Sequence, residues 1–181
     1  MREILETQRL LLRQPQKEDA AAMVPLANDF DVAKNLASMP FPYTLADARA
    51  FIARAADLRA KGTGYTFAVL RKSDGTLVGA CGVHPERGHE LGYWMGRPYW
   101  GQGFATEAAR RVVRFAFEDL NAKKVIAGWY EDNPASGRVL EKLGFAHEKE
   151  EKRASVARGE HAVCRMMALT RASFARLEKT P

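Results

Sequence analysis

At 181 residues, with 46% hydrophobic and 28% charged side chains, the chain can bury one sizeable core, and its balance excludes a disordered tail or a fibrous repeat. Twenty-eight basic against 22 acidic residues leave a net charge of +6, which favours anionic partners such as phosphorylated cofactors or nucleic acid without selecting among them. Cys81 and Cys164 share no metal-type spacing, and no apolar run approaches the ~20 residues of a membrane span, so one soluble, unprocessed domain over residues 1–181 is expected in a reducing cytoplasm, away from membranes.

Residues 9–13 (RLLLR) are a short apolar run closed by Pro15 and predict a strand, followed by a helix over residues 17–28. Pro40 and Pro42 keep the chain before them extended. Thr44 is placed to cap a helix over residues 45–61, whose Ala48, Phe51, Ile52, Ala55 and Leu58 share a face. Residues 65–71 and 77–84 are β-rich, and Ser73-Asp74-Gly75 between them suits a tight hairpin, so antiparallel pairing follows. Cys81, inside the second of these strands, reads as core.

HELGYWM (residues 89–95) predicts another strand, and the glycine-bearing loop 97–103 opens onto a helix over residues 104–120. Ala105, Ala108, Val112, Phe115 and Ala116 repeat on one face of that helix, with Glu107, Arg110, Arg111, Arg114 and Glu118 mainly on the other, a solvated face by default. A strand over residues 123–130, a helix over 133–143 stopped by Gly144, and an extended stretch from Phe145 that turns at Gly159 into residues 161–169 complete a mixed α/β order. The Lys/Glu cluster from His147 to Arg153 reads as a solvated strand face.

Gly101 and Gly103 let the backbone come close to a ligand at a helix N-terminus, where unpaired N–H groups and the dipole favour a phosphate; the same spacing also fits a simple tight turn. A P-loop is excluded because Gln102 stands where its lysine belongs after Gly96-x-x-x-x-Gly101, and a Rossmann loop because Thr106 follows Gly101-x-Gly103 in place of the last small residue. His84, His89, His147 and His161 form no pair spaced for a metal or a nucleophile–base dyad, so no metal is expected.

The segment LGYWMGRPYWGQGFATEA followed by NPASGRVLEKLGF, together with TQRLLLRQPQKEDA, MPFPYTLADARAFI and LVGACGVHPERGHELGYW, resembles the GNAT acetyltransferases, and among them the RimJ/RimL-like ribosomal-protein N-acetyltransferases, over nearly the whole chain. The resemblance implies a mostly antiparallel twisted sheet of about six to seven strands, splayed between the fourth and fifth and flanked by about four helices. It implies acetyl-CoA as cosubstrate and direct attack by a primary amine, with no covalent enzyme intermediate. A protein N-terminal α-amine is the favoured acceptor. Such an amine, with a pKa of about 7.7–8.0, needs less help to lose its proton than a lysine near 10.4.

Residue by residue, the resemblance assigns the pyrophosphate to the loop of Gly101, Gln102, Gly103, Phe104, Ala105 and Thr106, with Trp100 replacing the family's first polar residue. It assigns the main chain of Trp94 and Met95 to the pantetheine arm, leaving the Tyr93 and Trp94 side chains to packing. Asn133 is expected to hydrogen-bond the same arm, or simply to cap its helix. Leu140 stands where many relatives carry an acidic tyrosine, so Ser136 is the implied donor to the departing thiolate. Glu90 is the implied base, acting through water, with a surface salt bridge as the other reading. Ser155, with Glu160 beyond it, lies near a strand acid of some RimL-like enzymes, and Arg110, Arg111 and Arg114 lie where the adenosine phosphate could be attracted.

Three other readings remain open at this point: acetylation of a small amine (amino acid, polyamine or antibiotic), a non-catalytic acyl-CoA sensor, and nucleic-acid binding. The last ranks lowest because the basic residues are scattered, so no direct nucleic-acid contact is expected; a homodimer is left open.

Overall fold

A computed structural model describes residues 4–177. Eight strands form one sheet: β1 (Ile4–Glu6), β2 (Leu10–Arg13), β3 (Tyr65–Arg71), β4 (Leu77–His84), β5 (Glu90–Met95), β6 (Lys124–Tyr130), β7 (Ala146–Ser155) and β8 (Glu160–Thr170), in the order β1-β2-β3-β4-β5-β6-β8-β7. The helices are α1 (Asp19–Ala27), α2 (Phe30–Ala33), α3 (Leu45–Ala60), α4 (Phe104–Glu118), α5 (Pro134–Lys142) and α6 (Arg171–Leu177). The sequence predicts all of these except β1, α2 and α6, which span three, four and seven residues and are too short to display a period.

Thr44 and Asp47 close a reciprocal capping box at the start of α3, as the position of Thr44 predicts. α4 buries Ala108, Val112, Phe115 and Ala116 against one face of the sheet, where Phe115 meets Tyr65 and Phe67 edge-on at 5.4 and 5.5 Å. α1 and α3 cover the other face with a second apolar cluster that includes Met23, Ile52 and Trp94. The charged side chains of β7 lie on an edge strand that is mostly exposed, a composition that discourages pairing with another chain.

Every strand pair is antiparallel except β5–β6, which runs parallel and is held at only two positions, Glu90↔Ile126 and Leu91↔Ala127. Beyond Leu91 the two strands diverge. These are the fourth and fifth of the predicted strands, so the splay falls where the resemblance implies it.

Candidate functional site

The site is a consequence of strand alternation. In the β4–β5 register Ala80 faces Trp94, Gly82 faces Gly92 and His84 faces Glu90, and residues directly opposite share a face. Glu90, Gly92 and Trp94 therefore look towards α1 and α3, whereas Leu91, Tyr93 and Met95 look towards α4 and α5. A cavity of about 770 Å3 passes through the gap between β5 and β6 and joins both sides, from the loop before α3 to the start of α4 and α5.

At one end lies the loop into α4. Gly101 and Gly103 adopt φ of 73° and 80°, in the left-handed region that glycine enters without a Cβ penalty. Among the described residues none accepts a hydrogen bond from the main-chain N–H groups of residues 101–106; the first to find a partner is Glu107, which donates to the Gly103 carbonyl at 3.0 Å. A row of free donors at the positive end of a helix is an anion site.

The neighbours of that loop were not legible as a group. Arg9 donates to the Gln102 carbonyl at 3.0 Å and to Glu107 at 2.7 Å, and its guanidinium lies 4.7 Å over the Phe104 ring. Glu107 also accepts from Thr7 Oγ1 at 2.6 Å, which ties the β1–β2 turn to the first turn of α4. Trp100 Nε1 donates to the Met95 carbonyl at 2.7 Å and so fastens the loop to β5. Gln102 departs from its expected place: its side-chain amide donates to the Pro98 carbonyl at 2.8 Å and does not border the cavity, leaving only its backbone N–H for an anion. The other residues assigned to catalysis and cofactor binding do border it, whereas Ser155, Glu160, Arg110, Arg111 and Arg114 do not.

Asn133 caps α5, its Oδ1 accepting from the Ser136 N–H at 3.4 Å. Ser136 Oγ lies 2.9 Å from the Tyr93 hydroxyl, either able to donate, and that hydroxyl is also 3.2 Å from the Ser136 carbonyl. Burial pushes the Tyr93 phenol above its ordinary 10, only partly offset by the bond to Ser136, so it stays protonated at neutral pH. Leu140 is fully buried in the core, away from any acid–base role. Tyr93 thus adds a hydroxyl to the site that its strand context reads as packing alone.

Across the sheet, Glu90 forms an ion pair with Arg153, whose Nε donates to Glu151 at 2.6 Å. Burial works to lower the Arg153 pKa, and the bonds to Glu151 and Glu90 outweigh it and hold it above its usual value. This corrects the reading of residues 147–153 as a solvated face: Arg153 turns inward because the half-buried Glu90 carboxylate meets it. His84 stands beside Glu90 with a buried Nδ1 that has no partner, and burial followed by the Arg87 charge holds its pKa below 6.5, so the imidazole is neutral. Trp94 packs in the second apolar cluster as expected, yet its buried Nε1 has no partner either. Ser155 donates to the Lys34 carbonyl at 3.1 Å and pins the end of β7 to the segment after α2, while Glu160 is exposed.

Comparison with known proteins decides the family. The model of the acetyltransferase (GNAT) domain matches residues 9–146. The chain belongs to the GNAT acetyltransferase family. A Bacillus licheniformis protein described as "Uncharacterized N-acetyltransferase p20" is 33% identical over 150 residues, covering 81% of this chain and 84% of the relative. A GNAT-family acetyltransferase from Bacillus anthracis superposes with a TM-score of 0.79 at 25% identity, covering 92% of this chain and 98% of that one. The RimL ribosomal L7/L12 α-N-protein acetyltransferase, solved with coenzyme A, superposes with a TM-score of 0.81 at 18% identity, covering 93% and 98%, a likeness of fold alone.

GNAT enzymes take their acetyl group from acetyl-CoA, and this chain is an acetyl-CoA-dependent N-acetyltransferase. The free amides of residues 101–106 fit a GNAT pyrophosphate. Among the described residues no cluster of His, Cys, Asp or Glu is arranged to hold a metal, and no helix is long and apolar enough to cross a membrane.

Proposed function

We propose that the protein acetylates the α-amine at a protein N-terminus, with acetyl-CoA held on the α4–α5 side of the sheet and the amine arriving from the α3 side. The observation that carries this reading is the cavity crossing the splay, with a hydroxyl pair at one face and a carboxylate beside a neutral imidazole at the other. When bound, acetyl-CoA supplies an activated acyl carbon whose leaving group is a thiolate.

The residues divide the remaining work. The amides of Gly101 to Thr106 grip the diphosphate; the main chain of Trp94 and Met95, beyond the last pairing of β5 with β6, is left to bond the pantetheine arm, with Asn133 nearby. Ser136, backed by Tyr93, donates a hydrogen bond to the sulfur as charge develops there. Glu90 accepts the proton of the incoming ammonium through water. An α-amine, already partly neutral at physiological pH, suits a carboxylate that is itself held in an ion pair.

Incubation with acetyl-CoA and a mixed panel of ribosomal-protein N-terminal peptides, free amino acids and polyamines, followed by mass spectrometry, tests the proposal. Acetylation confined to peptide N-termini supports it. Preference for the small amines, or acetyl-CoA binding with no acetylated product, overturns it.

A further inference from the structure

Gly92 sits in the interior of an eight-stranded sheet and is nevertheless exposed. Its φ lies outside the left-handed region, and a Cβ built on it would meet no atom within 4 Å. Neither backbone conformation nor packing requires glycine there, and glycine is a poor strand residue. Its cross-strand partner Gly82 is a contrasting case: a Cβ at that position would lie 2.7 Å from the Tyr65 carbonyl oxygen, so Gly82 is demanded by the neighbouring strand. The pair together leaves a patch of sheet without side chains. By alternation this patch lies on the face of Glu90, His84 and Trp94, opposite to Tyr93 and Ser136.

We infer that the bare Gly82–Gly92 patch is the floor of the acceptor subsite, and that the missing side chain at Gly92 sets how large a group the amine-bearing carbon can carry. The inference rests on the proposed function, which brings the amine in from the α3 side. It adds the residue that determines acceptor size. A glycine kept in a strand where it costs stability, and where its removal would clash with nothing, is explained by a ligand that approaches the backbone closely. The open space continues towards Glu90, the proposed proton acceptor, and towards Trp94. An amine lying on this floor therefore has its carbon against bare backbone and its nitrogen within the reach of the splay.

Gly92→Ala and Gly92→Val test the floor with acetyl-CoA and three peptides of the same sequence after residue one, beginning with Gly, Ala or Phe. Both variants are expected to melt no lower than the parent and to bind acetyl-CoA within about twofold by calorimetry, because the added atoms enter open space on the opposite face. kcat/KM for the Ala peptide is expected to fall about tenfold in Gly92→Ala and further in Gly92→Val, mostly through KM, with a larger loss for Phe and a smaller one for Gly. Equal losses across the three peptides, unchanged acceptor kinetics, a weakened acetyl-CoA affinity or a lowered melting temperature would each overturn the floor while leaving the proposed reaction in place. If the parent acetylates no peptide, the reading of the acceptor falls, and the floor with it.

Discussion

The Tyr93 hydroxyl lies 2.9 Å from Ser136 Oγ, bringing β5 and α5 together at the point where the sheet opens. One residue is fixed by the strand and the other by the first turn of a helix that Asn133 caps. A serine hydroxyl is a weak acid by itself; paired with a buried phenol, it gains a second donor and a defined rotamer. Ser136→Ala is expected to lower kcat about a hundredfold and Tyr93→Phe about tenfold, with acetyl-CoA affinity nearly unchanged. The double variant should lose little more than Ser136→Ala, since the two act as a unit. Because burial holds the Tyr93 phenol above 10, its ionisation produces no alkaline limb in the pH profile below that value. Single-turnover kinetics across pH measures both effects.

The loop into α4 separates two kinds of glycine effect. A Cβ at Gly101 meets nothing within 4 Å, so Gly101→Ala carries the backbone strain of a positive φ, about 1 kcal/mol. At Gly103 the same strain is joined by contact with Arg9 Nη2 at 3.3 Å, and Arg9 is the residue that holds the Gln102 carbonyl. Gly103→Ala should therefore weaken acetyl-CoA binding more than Gly101→Ala, by isothermal calorimetry, while a comparable loss in both would assign the effect to strain alone.

Much of this arrangement was open to sequence reading because its signals are local. The Asp-Gly hairpin, the capping box of Thr44, the glycine loop and the periodicity of α4 each lie within a few residues, and the family motifs lie on those elements. What escaped depends on distant partners. Arg9 reaches Glu107 across 98 positions, Arg153 reaches Glu90 across 63, and Tyr93 reaches Ser136 across 43, and no spacing rule links such pairs. His84 was legible in principle: once the hairpin register is fixed it must stand opposite Glu90, but the register cannot be read one strand at a time. The inward turn of Arg153 from an otherwise solvated strand has the same origin, since the half-buried Glu90 carboxylate that it meets lies on a distant strand.

Glu90 provides a test of proton transfer that leaves the cofactor side alone. Glu90→Gln keeps a side chain of the same shape but abolishes the carboxylate, so kcat/KM for the amine should fall about a hundredfold with acetyl-CoA affinity retained. Raising the pH deprotonates the amine in solution and should recover part of that loss. A variant with full activity at pH 7 would exclude Glu90 as base and leave its ion pair with Arg153 as its role.

Acid stability draws on His84 and on the carboxylates whose folded pKa values are lowered, Asp19 being the buried one among them, in separate windows. His84 is held neutral by burial and by Arg87, so the unfolded chain takes up a proton first as pH falls below 6.5, and stability declines from there until the folded imidazole also protonates. Asp19 is different in cause: burial alone would raise its pKa, and the paired bonds from Arg13 at 2.7 Å, with the Gln16 N–H, override it and hold it below 3.8. Its contribution is complete above the unfolded value and is lost as pH drops through the folded one. Urea titrations from pH 8 to 3 should therefore show a decline in two steps. His84→Gln removes the upper step, whereas Asp19→Asn reduces the lower, to which Glu107 and Asp132 also contribute, and costs about 3 kcal/mol at pH 7, because the mostly buried Arg13 loses its charge partner. A single step that persists in both variants would assign the acid sensitivity to other carboxylates.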